Sequence, residues 1–433
     1  MRAFIIGGGK GSRTANPSLP KVLTSLGEST ILEYQIEELQ KSGEIDHITL
    51  LLGFGHEQVV AFLDSYLSKA NIGLLIDYVI EEEPLGSGGM LKRVLKDCQG
   101  QGAFVVLGDV LPRGGILESI SLIQNDSENY VFVHPNNHPF DSDSIISTRG
   151  YASKIIKKND KKEDLYPNLS PVGFFFFRIA DLDAWPIMPA FDLVHEALCN
   201  LITVGKKVRV EEILKRSTDL GTPDRFELMK KNVNNYGHVI DGAIFIDRDE
   251  TIIRDPRKDQ EFELVNEISL IEGVTEFLKA VNTIGIPVVC VSNQPAIAKG
   301  FISREKVEIE FQLLKSRLDI SNVYIDKYLY CPHYPESGFE GEIQELKVIC
   351  ECRKPKPGMI VETSRIHSLD LTRSVIIGDS WMDIEIDTEI GSRIHYFPYT
   401  EKCDILQEHH CVSSFEEILL LVTKFFQEKS SRC

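Results

Sequence analysis

The stretch Phe245-Ile246-Asp247-Arg248-Asp249-Glu250-Thr251-Ile252-Ile253 constrains this chain more than any other. An apolar run, Ala243 to Ile246, predicts a buried strand. It ends in two aspartates at i, i+2, Asp247 and Asp249. In an open α/β sheet, ligands lie in the crevice outside the carboxyl ends of the strands. Two carboxylates there can divide labour, one attacking phosphorus and the other moving a proton. Together they can also hold Mg²⁺, which prefers oxygen ligands. A solvated acidic loop has the same composition, so the residues that follow must decide.

Ile286 to Val291 predicts a second strand, ending in Ser292-Asn293-Gln294, whose hydroxyl and amides suit phosphate oxygens. Arg353-Lys354-Pro355-Lys356-Pro357-Gly358 carries fixed positive charge for a phosphate dianion. Ser374 to Ile377 predicts a third strand, ending in Gly378-Asp379-Ser380-Trp381-Met382-Asp383. In this order the four motifs resemble the haloacid dehalogenase superfamily of phosphatases. The resemblance implies Asp247 as nucleophile, Asp249 as general acid and base, and Lys354 as charge stabiliser. It implies Mg²⁺ at Asp247, Asp249 and Asp379, with position 249 contributing its backbone carbonyl. Ser292, Asn293 and Gln294 would bind the reacting phosphate, and Arg353 a second one. Two departures from the pattern occur: Glu250 stands for a frequent glycine, and Pro295-Ala296 for Ser-Gly.

Cys331-Pro332-His333 is followed, after sixteen residues, by Cys350-Glu351-Cys352. Three thiolates and an imidazole in two tight pairs make a closed tetrahedral set for structural Zn²⁺. Within the superfamily such a loop resembles a small-cap branch containing heptose 1,7-bisphosphate and histidinol phosphatases. Ser292 to Gly300 and Cys352 to Met359 look most like the heptose enzymes. Cys98, Cys199, Cys290, Cys403, Cys411 and Cys433 show no such pairing and are expected as free thiols.

The amino-terminal half carries another set of motifs. Arg2 to Ile6 predicts a strand that runs into Gly7-Gly8-Gly9-Lys10-Gly11-Ser12-Arg13. Four glycines there let backbone N–H groups approach a polyphosphate. No Gly-Lys-Ser/Thr follows at P-loop spacing. Pro20-Lys21 comes next, then a predicted helix from Ile31 to Lys41 and strands at Ile48–Leu52 and Ile76–Ile80. Pro84-Leu85-Gly86-Ser87-Gly88-Gly89 follows, then a strand at Phe104–Leu107 ending in Gly108-Asp109. With Asp219-Leu220-Gly221-Thr222-Pro223, the series resembles the sugar nucleotidyltransferase family over about residues 1–230.

That resemblance implies Arg13 and Lys21 on the triphosphate and Mg²⁺ at Asp109 and Asp219. Gly8, Gly9, Gly11 and Ser12 would hold phosphates, and a turn carrying Gly86, Ser87 and Gly88 the base or ribose. Lys158 would contact the sugar phosphate. Lys157-Lys158-Asn159 stands where relatives have Glu-Lys-Pro, and Asn168 to Gly173 where they have Asn-Ala-Gly. For the isolated aspartates, capping roles compete: a turn at Asp109, and a helix start before Pro223 at Asp219.

A chain of 433 residues suggests two or three domains. Hydrophobic residues at 42% and charged residues at 26% are those of a soluble globular protein. A net charge of −18 argues against non-specific nucleic-acid binding. No apolar run reaches membrane-span length, and the amino terminus lacks a signal-peptide pattern. We expect two α/β domains, each with a mostly parallel sheet: a Rossmann-like nucleotidyltransferase over 1–236 and a haloacid dehalogenase-like phosphatase over 237–433. The expected function is bifunctional and cytoplasmic. The second half removes the 7-phosphate of a heptose 1,7-bisphosphate. The first transfers a nucleotidyl group, with GTP favoured, to the heptose 1-phosphate. The alternatives are the same chemistries on another sugar or on histidinol phosphate, or one half acting as a binding domain.

Overall fold

The computed structural model describes residues 1–9, 18–161, 167–220, 222–255, 268–386, 388–396 and 410–430. The chain divides into two compact units, one of Met1–His134 with Pro139–Val239, the other of Pro135–His138 with Ile240–Cys433.

Among the described residues, the first unit is built on a nine-stranded sheet. Its strands are β1 (Arg2–Ile6), β2 (His47–Leu52), β3 (Leu75–Ile80) and β4 (Gly102–Leu107), then β6 (Asn129–His134), β7 (Ser144–Thr148), β8 (Tyr151–Ile156), β9 (Ser170–Arg178) and β10 (Val208–Glu212). The order is β3-β2-β1-β4-β9-β6-β10-β8-β7. The β3-β2-β1-β4 part is parallel, as expected. Beyond it the expectation fails: β9 runs antiparallel to both β4 and β6, and β8 is antiparallel to its neighbours. β9 explains why this was hard to read. Phe174, Phe175, Phe176 and Phe177 are all buried, covering both faces, so no alternation marks the strand.

In the parallel part the chain leaves β1 towards β2 and β3 and returns on the other side at β4. A crevice therefore opens between the carboxyl ends of β1 and β4. A short ladder between β5 (Val110–Leu111) and β11 (Thr218–Asp219) adjoins it. Helix α1 (Ile31–Lys41) starts with a capping box between Thr30 and Glu33. Its buried Gln35 donates to the carbonyls of Leu107 and Val110 at 3.0 and 2.8 Å, fixing the turn that carries Asp109.

The second unit has a six-stranded parallel sheet. Its strands are β12 (Ile244–Ile246), β13 (Val288–Asn293), β14 (Lys327–Cys331), β15 (Val375–Gly378), β16 (Ser392–Tyr396) and β17 (His410–Val412). The order β14-β13-β12-β15-β16-β17 again places the first strand in the middle. Strands β12, β13 and β15 are mostly apolar, and Val288, Val289, Ile244, Phe245, Ile246, Val375 and Ile377 are fully buried. The polar ends of these three strands meet where the direction of winding reverses. Cys98, Cys199 and Cys290 are free thiols. Cys411 is disulfide-bonded, which corrects the free thiol expected there; Cys403 and Cys433 lie outside the described residues. No helix among the described residues is long and apolar enough to cross a membrane.

Candidate active sites

In the first unit, Gly7 leaves β1 with its N–H on the Leu51 carbonyl, and the Gly8 carbonyl accepts from Phe54. Gly8 and Gly9 head the glycine loop; Gly11, Ser12 and Arg13 lie outside the described residues. Lys21 Nζ is 2.6 Å from Asp109 Oδ2, and both side chains are part-exposed. Asp219 pairs with Val110 in the β5/β11 ladder, and the Leu220 N–H donates to the Asp109 carbonyl at 3.2 Å. The ladder thus sets Asp219 opposite Val110, the neighbour of Asp109, which holds Lys21. Asp219 does not cap the following helix, α5 (Pro223–Tyr236): Thr222 does, accepting from the Arg225 N–H. Arg225 instead donates to Asp219 Oδ2 at 3.1 Å.

The segment expected as a nucleotide-binding turn is the first turn of a helix, α3 (Gly86–Leu95). Its glycines are explained by packing. A Cβ on Gly88 would lie 2.4 Å from the Phe191 ring, and one on Gly89 2.1 Å from the Pro189 carbonyl oxygen. Ser87 Oγ donates to Asp192 Oδ2 at 3.2 Å and accepts from the Leu193 N–H at 2.9 Å. Lys158 pairs with Asp141 at 3.0 Å, and its N–H donates to Asp143 Oδ1 at 2.9 Å. Asp143 also binds the His195 ring. Neither Asp143 nor His195 belongs to a motif readable in the sequence.

In the second unit, Lys354 is buried and donates all its protons. Nζ lies 2.5 Å from Asp247 Oδ1, 2.5 Å from Asp383 Oδ1 and 2.8 Å from the Val291 carbonyl. Burial opposes its charge, but the two carboxylates outweigh that and hold the ammonium above the usual lysine range. Asp383 was not among the expected site residues. It is the N3 member of a capping box with Ser380 on the one-turn helix α10 (Trp381–Ile384). Gly378 makes room for it: a Cβ there would be 2.3 Å from the Asp383 carboxyl carbon.

Asp247, Asp379 and Asp383 present carboxylate oxygens within 4.8 Å of one another. Octahedral Mg²⁺ at about 2.1 Å from each ligand places its oxygens about 3.0–4.2 Å apart, and three carboxylates gathered this closely are the oxygen donors such an ion takes. Three carboxylates around one ammonium leave surplus negative charge. Burial, with Asp383 and Asp249 nearby, pushes Asp247 upward against the pull of Lys354. Burial and the Asp383 charge likewise push Asp379 up to about 6. A divalent cation would relieve both.

The side chain of Asp249 is engaged elsewhere, which leaves its backbone carbonyl as the group position 249 could offer a metal. Arg248 Nε donates to Asp249 Oδ1 at 2.9 Å, and Gln294 Nε2 to Oδ2 at 2.9 Å. Ser292 Oγ is 3.3 Å from the same Oδ2. Ser292 and Gln294, expected on the phosphate, are thus bonded to Asp249. Asn293 exchanges hydrogen bonds with the backbone of Lys354, 3.1 Å in each direction.

Cys331, His333, Cys350 and Cys352 converge, as their spacing predicts. Sulfur–sulfur distances are 3.3 to 3.6 Å and His333 Nδ1 is 3.2 and 3.6 Å from two of the sulfurs. Those are too long for disulfides and close to the edge of a tetrahedron, about 3.8 Å for Zn–S bonds of 2.3 Å. Beside it, Tyr334 and Phe339 pack edge to face, with Lys299 4.1 Å and Arg353 5.1 Å from the Tyr334 ring centre. Lys347 stands 4.9 Å from the Phe339 centre.

No family model matches the chain. It is 34% identical over 154 residues to the D-glycero-beta-D-manno-heptose-1,7-bisphosphate 7-phosphatase of Photorhabdus laumondii, covering 35% of this chain and 78% of that one. The enzyme of the same description from Escherichia coli K12 is 30% identical over 154 residues, 35% of this chain and 77% of its own. Among solved structures, HddC from Yersinia pseudotuberculosis complexed with GMP-PN matches 53% of this chain and 98% of that chain, with 21% identity and a TM-score of 0.43. With over three quarters of the Photorhabdus enzyme covered at this identity, the chain belongs to the D-glycero-beta-D-manno-heptose-1,7-bisphosphate 7-phosphatase family.

Proposed function

We propose that the protein is a bifunctional enzyme of sugar-nucleotide synthesis. The second unit removes the 7-phosphate of a heptose 1,7-bisphosphate. The first joins a nucleoside monophosphate, GMP favoured, to the remaining 1-phosphate and releases pyrophosphate. The observation that carries the phosphatase reading is Asp247 at the end of β12, facing Lys354 and flanked by Asp379 and Asp383.

Asp247 attacks the distal phosphorus as the sugar–oxygen bond to it breaks, and the leaving oxygen takes a proton from Asp249. Water then attacks the aspartyl phosphate, gives its proton to Asp249 and frees inorganic phosphate and Asp247. Lys354 keeps Asp247 oriented and offsets charge on the phosphoryl oxygens. Mg²⁺ at Asp247, Asp379 and Asp383, with the carbonyl of position 249, would lower the repulsion between carboxylate and phosphate dianion. Arg353, Lys299 and Lys347 form a second cationic patch for the 1-phosphate. Burial and the charge of Arg353 depress the pKa of Lys299, crowding that an anion would relieve. Zn²⁺ at Cys331, His333, Cys350 and Cys352 would fasten the loop bearing Tyr334 and Phe339.

In the first unit, Lys21 and Arg13 would hold the triphosphate, and Asp109 and Asp219 the Mg²⁺. Gly8, Gly9, Gly11 and Ser12 would line the phosphates, the amino end of α3 the nucleoside, and Lys158 the sugar phosphate. A need for nucleoside triphosphate fits a cytoplasmic enzyme. The deciding experiment is an acid-quenched single turnover with heptose 1,7-bisphosphate. Phosphate trapped on Asp247 is expected; phosphate on another residue, or none, sinks the reading.

A further inference from the structure

We infer that Arg248, together with Glu310, is a positioning residue that fixes the direction of the Asp249 carboxylate. The inference rests on the phosphatase reading above. Arg248 lies between the two reactive aspartates, and its side chain is 1% exposed. Nε donates to Asp249 Oδ1 at 2.9 Å, and Nη2 is 2.8 Å from the same oxygen. Nη1 reaches Glu310 Oε2 at 3.4 Å, and Glu310 is itself 3% exposed. The guanidinium is centred 4.9 Å from the ring of Phe311. Glu310 and Phe311 both come from the long helix α8 (Arg304–Ile320).

Stability alone gives no reason for this arrangement. Burying an arginine and a glutamate costs several kcal/mol per ion before pairing, and apolar residues of similar volume commonly do as well or better. The chain nevertheless keeps both beside its proposed acid–base group. Asp249 follows a strand end, where its χ1 has three staggered wells open. Arg248 holds Oδ1, and Ser292 and Gln294 meet Oδ2, so one well is selected. Glu310 and Phe311 hold the guanidinium from its other edge and face, so that it does not follow Asp249. Arg248 touches neither substrate nor phosphorus; it acts through Asp249.

The test compares two leaving groups in the full-length protein. A sugar phosphate ester needs Asp249 to protonate its leaving oxygen, whereas p-nitrophenyl phosphate does not. The variant is Arg248→Met with Glu310→Met, which removes both charges and leaves no buried one unpaired. Turnover of heptose 1,7-bisphosphate should fall about 100-fold or more, the range of acid–base catalysis, with KM little changed. Phosphoenzyme should form from p-nitrophenyl phosphate at near the unmutated rate and then persist, because its hydrolysis still needs Asp249. Equal slowing of phosphoenzyme formation from both esters would make Arg248 merely structural and overturn the inference, as would unchanged turnover. If the double variant does not fold, Arg248→Lys, which keeps the charge without the fork, is judged by the same comparison. Failure of the unmutated protein to form any phosphoenzyme would instead remove the phosphatase reading itself.

Discussion

Lys354 Nζ stands 2.5 Å from Oδ1 of Asp247, with both side chains almost wholly buried. The lysine's second carboxylate partner, Asp383, is the 2%-exposed member of the acidic trio. Removing the ammonium leaves three carboxylates close together without a fixed counter-charge. Lys354→Met should therefore destabilise the second unit by about 3–5 kcal/mol, as for breaking one side of a buried pair. It should also abolish phosphate release. Chemical denaturation and a phosphate-release assay check both. An unchanged denaturation midpoint would show that the pair contributes nothing to the fold.

Glu250 occupies left-handed backbone, φ +57°, where a side chain is strained. A glycine at this position would carry no such strain. Glu250 offsets part of the strain by accepting the Asp255 N–H at 2.9 Å. Glu250→Ala keeps the strain and loses that bond, so it should be the less stable of two variants. Glu250→Gly relieves the strain and should match the unmutated protein within about 1 kcal/mol. Removing its charge beside Asp379 should also lower KM for a bisphosphate. A KM that rises in Glu250→Gly would show that the carboxylate helps to bind substrate.

Much of the second site was legible because the chemistry sits at strand ends. Apolar runs closed by Asp247, Ser292 and Asp379 mark both the strands and what they present. Asp383 escaped notice because a short helix with a capping aspartate reads as local structure; only the fold turns that carboxylate toward Lys354. Arg248 escaped because a lone arginine between acids is ordinarily solvated, and its burial depends on Glu310, far along the chain. Gly86 to Gly89 read as a turn because glycine disfavours helix. The tertiary contact with Pro189 and Phe191 overrides that propensity. The antiparallel half of the first sheet was hidden because strand direction leaves no mark in an apolar run such as Phe174 to Phe177 of β9.

The zinc prediction concerns stability more than chemistry. Cys350→Ser removes one sulfur from a set whose other two sulfurs lie 3.3 and 3.6 Å from it. Metal content measured on the purified variant should fall from one zinc per chain toward zero. Thermal stability of the second unit should fall with it, because binding free energy in such a site is folding free energy. Full zinc retention by Cys350→Ser would show that the four side chains are not the ligands.

Lys21 and Asp109 are the corresponding pair of the first unit, 2.6 Å apart and each part-exposed. An exposed pair of this kind adds little to stability, so its short distance at the end of β4 points to function. Asp109→Asn keeps the size and hydrogen bonding of the side chain while removing the charge that would hold a metal. Pyrophosphate release from a nucleoside triphosphate and a heptose 1-phosphate should fall at least about 100-fold, as for loss of a principal electrostatic stabiliser. Lys21→Ala should behave alike, while Lys21→Arg should recover part of the rate by keeping the charge. Phosphate release from heptose 1,7-bisphosphate should persist in all three, because Asp247 and Lys354 belong to the other compact unit. Pyrophosphate release at the unmutated rate in Asp109→Asn would end the nucleotidyl-transfer reading of this site, leaving the phosphatase reading intact.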